Sequence, residues 1–162
     1  MRLLLAYATK YGTVERIAER VRENLSVPCD LFDLKSTPSP PIEQYDVVLT
    51  GGSIYAGRIR PQVTRFCERH QNDLLARRVG LFISCLFDQE RGEQQLQDNF
   101  PGWLLAHAFG RYNVGGAVHF SRLRLVDRLI MQKVGKVSSD LNQVNDEVID
   151  RMVADVHALG AG

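Results

Sequence analysis

A doubly wound α/β fold is predicted for this 162-residue chain, with a five-stranded parallel sheet in the order 2-1-3-4-5 and helices on both faces. Three observations predict it. Short apolar runs suited to strands alternate with segments of helical periodicity, and right-handed crossovers then place helices on both sides of one parallel sheet. The first and third runs are continuous, as in strands covered on both faces, whereas the second alternates, as at a sheet edge. The first run passes through a hydroxyl-rich loop directly into an amphipathic helix, so a helix N-terminus faces the carboxyl end of a central strand.

Each element follows in order. Leu3-Leu4-Leu5-Ala6-Tyr7 is the first strand. Val14, Ile17, Ala18, Val21 and Leu25 recur at helical spacing, with Glu15, Arg16, Glu19, Arg20, Arg22 and Glu23 on the other face, so this helix packs one side on the sheet. Cys29 to Leu34 is the second, edge-like strand, and the proline-rich stretch Lys35 to Pro41 is a loop. Tyr45 to Thr50 is the third strand and runs into a glycine-rich loop, Gly51 to Arg58. Pro61 opens a second helix marked by Val63, Phe66, Cys67 and Leu74. Val79 to Ser84 is the fourth strand, followed by Cys85-Leu86-Phe87-Asp88. A polar segment, Gln89 to Asn99, leads to a helix at Trp103 to Ala106. Arg111 to Phe120 contains the fifth strand, Leu123 to Val134 is a helix, and Val144, Val148, Ile149, Met152, Val153, Val156 and Leu159 form the stripe of a last helix that covers the sheet. With no internal repeat or linker, residues 1–162 are expected to form one domain.

Bulk properties narrow the function. A composition 44% apolar and 24% charged is that of an ordinary globule with a substantial core. The net charge of +1 argues against a nucleic-acid binder. No run approaches the roughly 18–20 apolar residues of a membrane span, and the N-terminus lacks a signal peptide's basic, apolar and cleavage regions, so a cytoplasmic location is expected. Cys29, Cys67 and Cys85 are an odd, widely spaced set without C-x-x-C, which indicates neither a disulfide framework nor a thiol-redox motif. His70, His107, His119 and His157 lack metal-ligand spacing, and no metal site is expected.

The chemistry is expected where three loops meet at the switch point between the first and third strands: Thr9 to Thr13, Gly51 to Arg58, and Ser84 to Asp88. In the first, Thr9, Thr13 and the Tyr11 hydroxyl stand beside backbone N–H groups that a new helix leaves unpaired, at the positive end of its dipole, which favours a phosphate. Thr13 serving only as N-cap, with Glu15 in the first turn, explains the same residue types, and the local pattern leaves both readings open. The loop has neither G-x-x-x-x-G-K-[ST] nor G-x-G-x-x-G, so a monophosphate suits it better than a triphosphate or dinucleotide. The first strand ends in Tyr7-Ala8-Thr9 rather than paired carboxylates, which disfavours a receiver-type signalling domain.

Ala8-Thr9-Lys10-Tyr11-Gly12-Thr13-Val14-Glu15-Arg16-Ile17-Ala18 resembles the flavodoxin phosphate loop. Gly51-Gly52-Ser53-Ile54-Tyr55-Ala56-Gly57 is similar to the loop after the third strand in the flavodoxin-domain branch that includes menaquinone-dependent protoporphyrinogen dehydrogenase. The similarity extends to Gly116–Phe120 and Leu123–Met131, and so spans most of the chain. A flavodoxin-like fold has this strand order, with FMN at its switch point. The resemblance implies that Thr9, Lys10, Tyr11, Gly12 and Thr13 hold the FMN phosphate. It implies that Ser53, Ile54, Tyr55, Ala56 and Gly57, with Ser84, Cys85, Leu86 and Phe87, flank the isoalloxazine. Val14 stands where flavodoxins usually carry a second hydroxyl residue, and Tyr11 replaces a smaller polar one. Tyr55 can stack on the ring or plug its loop against the third strand. Cys85 reads better as a small buried thiol than as a reactive one, and Lys10 can reach a phosphate or solvent.

Arg111, Arg122, Arg124, Arg128, Lys133 and Lys136 crowd residues 111–136 against a single acid, Asp127. A solvated helix face accounts for them equally well as a basic rim, in which Arg122, Arg124 and Arg128 attract carboxylates or an anionic membrane surface. Flavodoxin carriers are acidic as a family, and a neutral chain with a basic edge fits that role poorly. The resemblance implies an FMN-dependent oxidoreductase that takes protoporphyrinogen IX to protoporphyrin IX in haem biosynthesis, with a membrane quinone reoxidising the flavin; the basic segment adds the expectation of a peripheral contact at the inner face of the membrane. The alternatives are a flavodoxin-type electron-transfer protein and another FMN-dependent quinone reductase. No side chain stands out as a catalytic acid or base.

Overall fold

In the computed structural model, which describes residues 1–86, 89–133 and 139–161, β1 (Leu3–Ala8) is buried along its whole length. Its alternate side chains enter two cores: Leu4, Ala6 and Ala8 one, Leu3, Leu5 and Tyr7 the other. A strand covered on both faces has no polar face to show, hence the unbroken apolar run. There follow α1 (Thr13–Asn24), β2 (Cys29–Asp33), β3 (Val47–Tyr55), the two-residue β4 (Arg58–Ile59), α2 (Pro61–Arg69), α3 (Gln71–Leu75), β5 (Arg78–Ser84), α4 (Gln89–Asn99), α5 (Gly102–His107), β6 (Gly110–Asn113), β7 (Gly115–Val118), α6 (Leu125–Lys133), β8 (Leu141–Val144) and α7 (Asp146–Gly160).

The parallel sheet runs β2-β1-β3-β5-β6. This is the expected 2-1-3-4-5 order, because β4 pairs antiparallel only with the end of β3 and adds nothing to the path. β2 is the expected edge. One face is covered by α1 and α7 through Val14, Ile17, Val21, Ile149, Met152 and Val156, the other by α2, α3, α4 and α5 through Phe66, Leu74, Leu96 and Leu104. Pro61 occupies the first turn of α2, as its fixed φ favours.

Several expectations change. Leu74, expected in the second helix, belongs to the separate α3, and Val144, expected in the last helix, ends β8. The glycine-rich segment after Thr50 continues β3 to Tyr55, and only Ala56-Gly57 turns, into β4. Gly51 permits this: a Cβ there would lie 2.0 Å from the Phe82 carbonyl oxygen and 2.6 Å from its Cγ, so β5 can pass beside it only if the side chain is absent. The polar stretch before the tryptophan is itself helical, α4, which buries Leu96 and turns charged and amide residues outward, too thin an apolar stripe to read as a helix. The fifth-strand segment divides. β6 pairs with β5, Val114 N–H still donates to Ile83 O at 2.9 Å, and then Gly115, at φ 70°, turns the chain out of the sheet. β7 pairs antiparallel with β8, and Asn145 N–H closes the base of this excursion on Val114 O at 2.9 Å. The expected helix from Leu123 is α6, and Val134 lies outside the described residues.

Candidate functional site

A cavity of about 380 Å³ opens at the carboxyl ends of β1, β3 and β5 and is roofed by the excursion carrying β7, α6 and β8, a size within the range of cofactor sites. Thr9, Lys10, Tyr11 and Thr13, all of Ser53 to Gly57, and Ser84, Cys85 and Leu86 line it, so the three predicted loops converge on one space. Gly12 is the turn beneath it rather than part of the lining. Phe87 lies outside the described residues.

The first loop is built on Gly12, which holds the N-cap position of α1 at φ 84°, in the left-handed region that glycine enters without cost. The Gly12 N–H donates to Thr9 Oγ1 at 3.0 Å, which leaves the Thr9 hydroxyl proton available to another acceptor. Thr13 is the first helical residue and no cap: its hydroxyl donates to Ala117 O in β7 at 3.2 Å. The capping reading of Thr13 is therefore corrected; no side chain caps α1. First-turn N–H groups of a helix have no intrahelical acceptor, and the dipole's positive end points the same way.

The second loop contributes an unmatched donor. Ser53 Oγ is buried at the cavity and has no hydrogen-bond partner, a state that costs on the order of 1–3 kcal/mol unless a ligand or water satisfies it. Ala56 and Gly57 both have positive φ, 49° and 76°, as a two-residue hairpin between Tyr55 and Arg58 demands. Cys85 is buried on the third side.

Across the mouth lies a residue that sequence reasoning did not place in the site. Asp127 of α6, 6% exposed, accepts hydrogen bonds from the Tyr11 and Tyr55 hydroxyls and from Lys10 Nζ at 2.9 Å. Burial alone would raise its pKa, but the bonds from Tyr11, Tyr55 and Lys10 outweigh that and hold it at about 2. Burial, and then the bond to Asp127, push both tyrosine hydroxyls upward. Lys10 is thus paired with Asp127 at the cavity lining, and its ammonium sits 3.6 Å from the centre of the Tyr55 ring. The signal available in the sequence was that Asp127 is the lone acid of a basic segment.

The expected rim is only partly assembled. Arg122 lines the cavity, whereas Arg124 and Arg128 do not. Arg128 donates to Ser121 O at 2.8 Å, Arg111 donates to Leu105 O at 2.7 Å away from the cavity, and Lys136 lies outside the described residues. Leu123, Ile130, Met131 and Leu141 supply an apolar roof. His119 joins the lining, with Nδ1 3.7 Å from Asp140 Oδ2 and Nε2 3.4 Å from Arg16 Nη2. Among the described residues no group of three His, Cys, Asp or Glu side chains is placed to hold a metal, and no helix is long and apolar enough to cross a membrane. The arrangement suits a ligand with an anionic group at the helix end and a flat apolar body in the cavity.

The Flavodoxin domain family model matches residues 4–144. The chain is 24% identical over 155 residues to a Leishmania major protein named protoporphyrinogen IX dehydrogenase (quinone), with 90% of this chain and 67% of the relative covered. It is 22% identical over 157 residues to the protein of the same name from Escherichia coli strain K12, covering 92% and 87%. Among solved structures it is similar to the Streptococcus pneumonia TIGR4 flavodoxin, with a TM-score of 0.58, 15% identity and 99% of each chain covered, a likeness of fold.

Proposed function

The chain belongs to the Flavodoxin domain family, and from that membership we propose that it is an FMN-dependent oxidoreductase that oxidises protoporphyrinogen IX to protoporphyrin IX and passes the electrons to a quinone. The observation that carries the FMN reading is the convergence of the three predicted loops on one cavity, with the unpartnered Ser53 hydroxyl inside it and the start of α1 at its edge. The names of the two relatives support the choice of substrate and acceptor.

In this reading Thr9, Lys10, Tyr11, Gly12 and Thr13 hold the phosphate. The backbone N–H groups at the start of α1 and the free Thr9 proton are the donors, and Lys10 supplies counter-charge. Ser53 to Gly57 and Ser84 to Leu86 flank the ring system, with Ser53 Oγ offered to a polar atom of the ligand. FMN, when bound, supplies the two-electron chemistry: each pair of hydrogens leaving the porphyrinogen ends on one quinone, which becomes a quinol. Leu123, Ile130 and Met131 keep water from the apolar part of the cavity, and Arg122 at its edge offers a cation to a carboxylate substituent.

The test is anaerobic. FMN-loaded protein is mixed with protoporphyrinogen IX and a menaquinone analogue, and porphyrin fluorescence is followed against a flavin-free control. A quinone-dependent rise is expected; a flat trace with flavin bound overturns the assigned reaction, and failure to bind FMN overturns the cofactor.

A further inference from the structure

Helices on the surface of a globule turn their polar side outward, but α6 turns apolar side chains outward as well as toward the cavity, where Ile130 and Met131 lie. Leu125, Val126 and Leu129 are 77%, 67% and 58% exposed and are the most exposed large hydrophobic side chains among the described residues. The buried member of α6 is a carboxylate, Asp127. At about 100° per residue, Leu125 and Leu129 each lie on the side of the helix opposite Asp127. The rotation is fixed, because Asp127 is gripped by Lys10, Tyr11 and Tyr55. The outward apolar face is therefore built in, not the result of a loosely placed helix.

Cations surround this face. Arg122, Arg124 and Lys133 are exposed, Arg128 is half-buried, and the one acid of the segment is turned inward and paired. We infer that α6 is an interfacial docking helix that seats Leu125, Val126 and Leu129 in an anionic lipid bilayer, with Arg124 and Lys133 against the headgroups.

Charge and size select this occupant. Two copies joined through the same patch would set arginines and lysines against one another, and three side chains fall far short of the roughly 800 Å² per partner of a stable interface. An apolar strip flanked by basic residues is what lies in the headgroup boundary, and each cation near an anionic surface adds about fivefold to partitioning. The same segment carries Arg122, Leu123, Ile130 and Met131 into the cavity lining, so docking would bring the cavity's roof to the bilayer. This goes beyond the reaction proposed above and does not depend on it.

The test is co-sedimentation of the purified protein with vesicles of mixed phosphatidylglycerol and phosphatidylcholine, and of phosphatidylcholine alone, without porphyrin or quinone. Wild-type protein is expected to favour the anionic vesicles. Leu125→Ser/Val126→Ser/Leu129→Ser should lower partitioning at least tenfold with circular dichroism unchanged. Arg124→Gln/Lys133→Gln should lower it on the order of 30-fold on anionic vesicles only. Wild type that stays in the supernatant with every vesicle, or a serine variant that sediments like wild type, overturns the inference. So does light scattering that shows a wild-type dimer abolished by the serine variant with no vesicle binding by either. A negative porphyrin assay leaves it standing.

Discussion

Lys10 Nζ and Asp127 Oδ1 stand 2.9 Å apart although 117 residues separate them in the chain. The pair joins the loop at the head of α1 to the helix that roofs the cavity. Breaking it by Asp127→Asn should cost about 2 kcal/mol at neutral pH, the equivalent of a carboxyl held at about 2 rather than 3.8. The same change should tighten FMN binding, on the order of fivefold, because Lys10 loses an anionic competitor of the phosphate. Urea unfolding and quenching of flavin fluorescence check the two halves.

The pH dependence of that term has a definite sign. A carboxyl whose folded pKa is depressed stabilises the fold above its unfolded value and loses the contribution as pH falls through the folded one. The stability gap between wild type and Asp127→Asn should therefore be constant from pH 5 to 7 and close between about pH 4 and 2. A gap unchanged at the acid end would mean that Asp127 is not held by these donors.

Thr9 and Thr13 should differ as phosphate ligands. Thr9 receives the Gly12 N–H and keeps its own proton to give, whereas Thr13 spends its proton on Ala117 O. Thr9→Val should weaken FMN binding by about 1–3 kcal/mol, the worth of a hydrogen bond to a charged group. Thr13→Val should cost less in affinity and more in the protection of β7 amides against hydrogen exchange. Equal losses of affinity would show that both hydroxyls serve the phosphate.

Gly51→Ala is expected to cost about 3 kcal/mol, roughly 10 °C in Tm for a chain of this size. The added carbon meets the backbone of Phe82, which cannot move without separating β3 from β5. A melting temperature within 2 °C or so of wild type would mean that the strands part more easily than their register implies.

Ala56 holds φ 49° without a glycine's freedom. Ala56→Asn, the residue type preferred before glycine in such hairpins, should stabilise the fold by about 0.5–1 kcal/mol, read as a rise of roughly 2–4 °C in Tm. A fall would locate a contact of the Ala56 methyl group that the turn needs.

What could be read from the sequence follows from which forces act locally. Leu3 to Ala8, Val47 to Thr50 and Val79 to Ser84 advertise burial on both faces, and burial fixed the strand order. The loop at Thr9 to Thr13 was legible because a turn into a helix needs particular residues in a short span. The course of Gly51 to Tyr55 was not, because its glycines answer to a neighbouring strand thirty residues away, which looks locally like a loop. β8 escaped notice since Leu141-Asn142-Gln143-Val144 has no apolar run and exists through its partner β7. Asp127 escaped for a related reason: its three donors come from distant parts of the chain, and a carboxylate on a basic helix reads as surface until they are brought to it.

The departure of the chain at Gly115 also bears on how copies of this protein behave when crowded. It stops β6 after four residues, and at the opposite side β2 has only five, two of them Asp30 and Asp33. Unpaired strand edges are templates for aggregation, and short or charged edges are the usual protection. With the sheet ended early at one border and carrying acids at the other, neither offers a long neutral ladder for a second chain to extend, so this sheet should resist edge-to-edge stacking even where its flanking helices loosen.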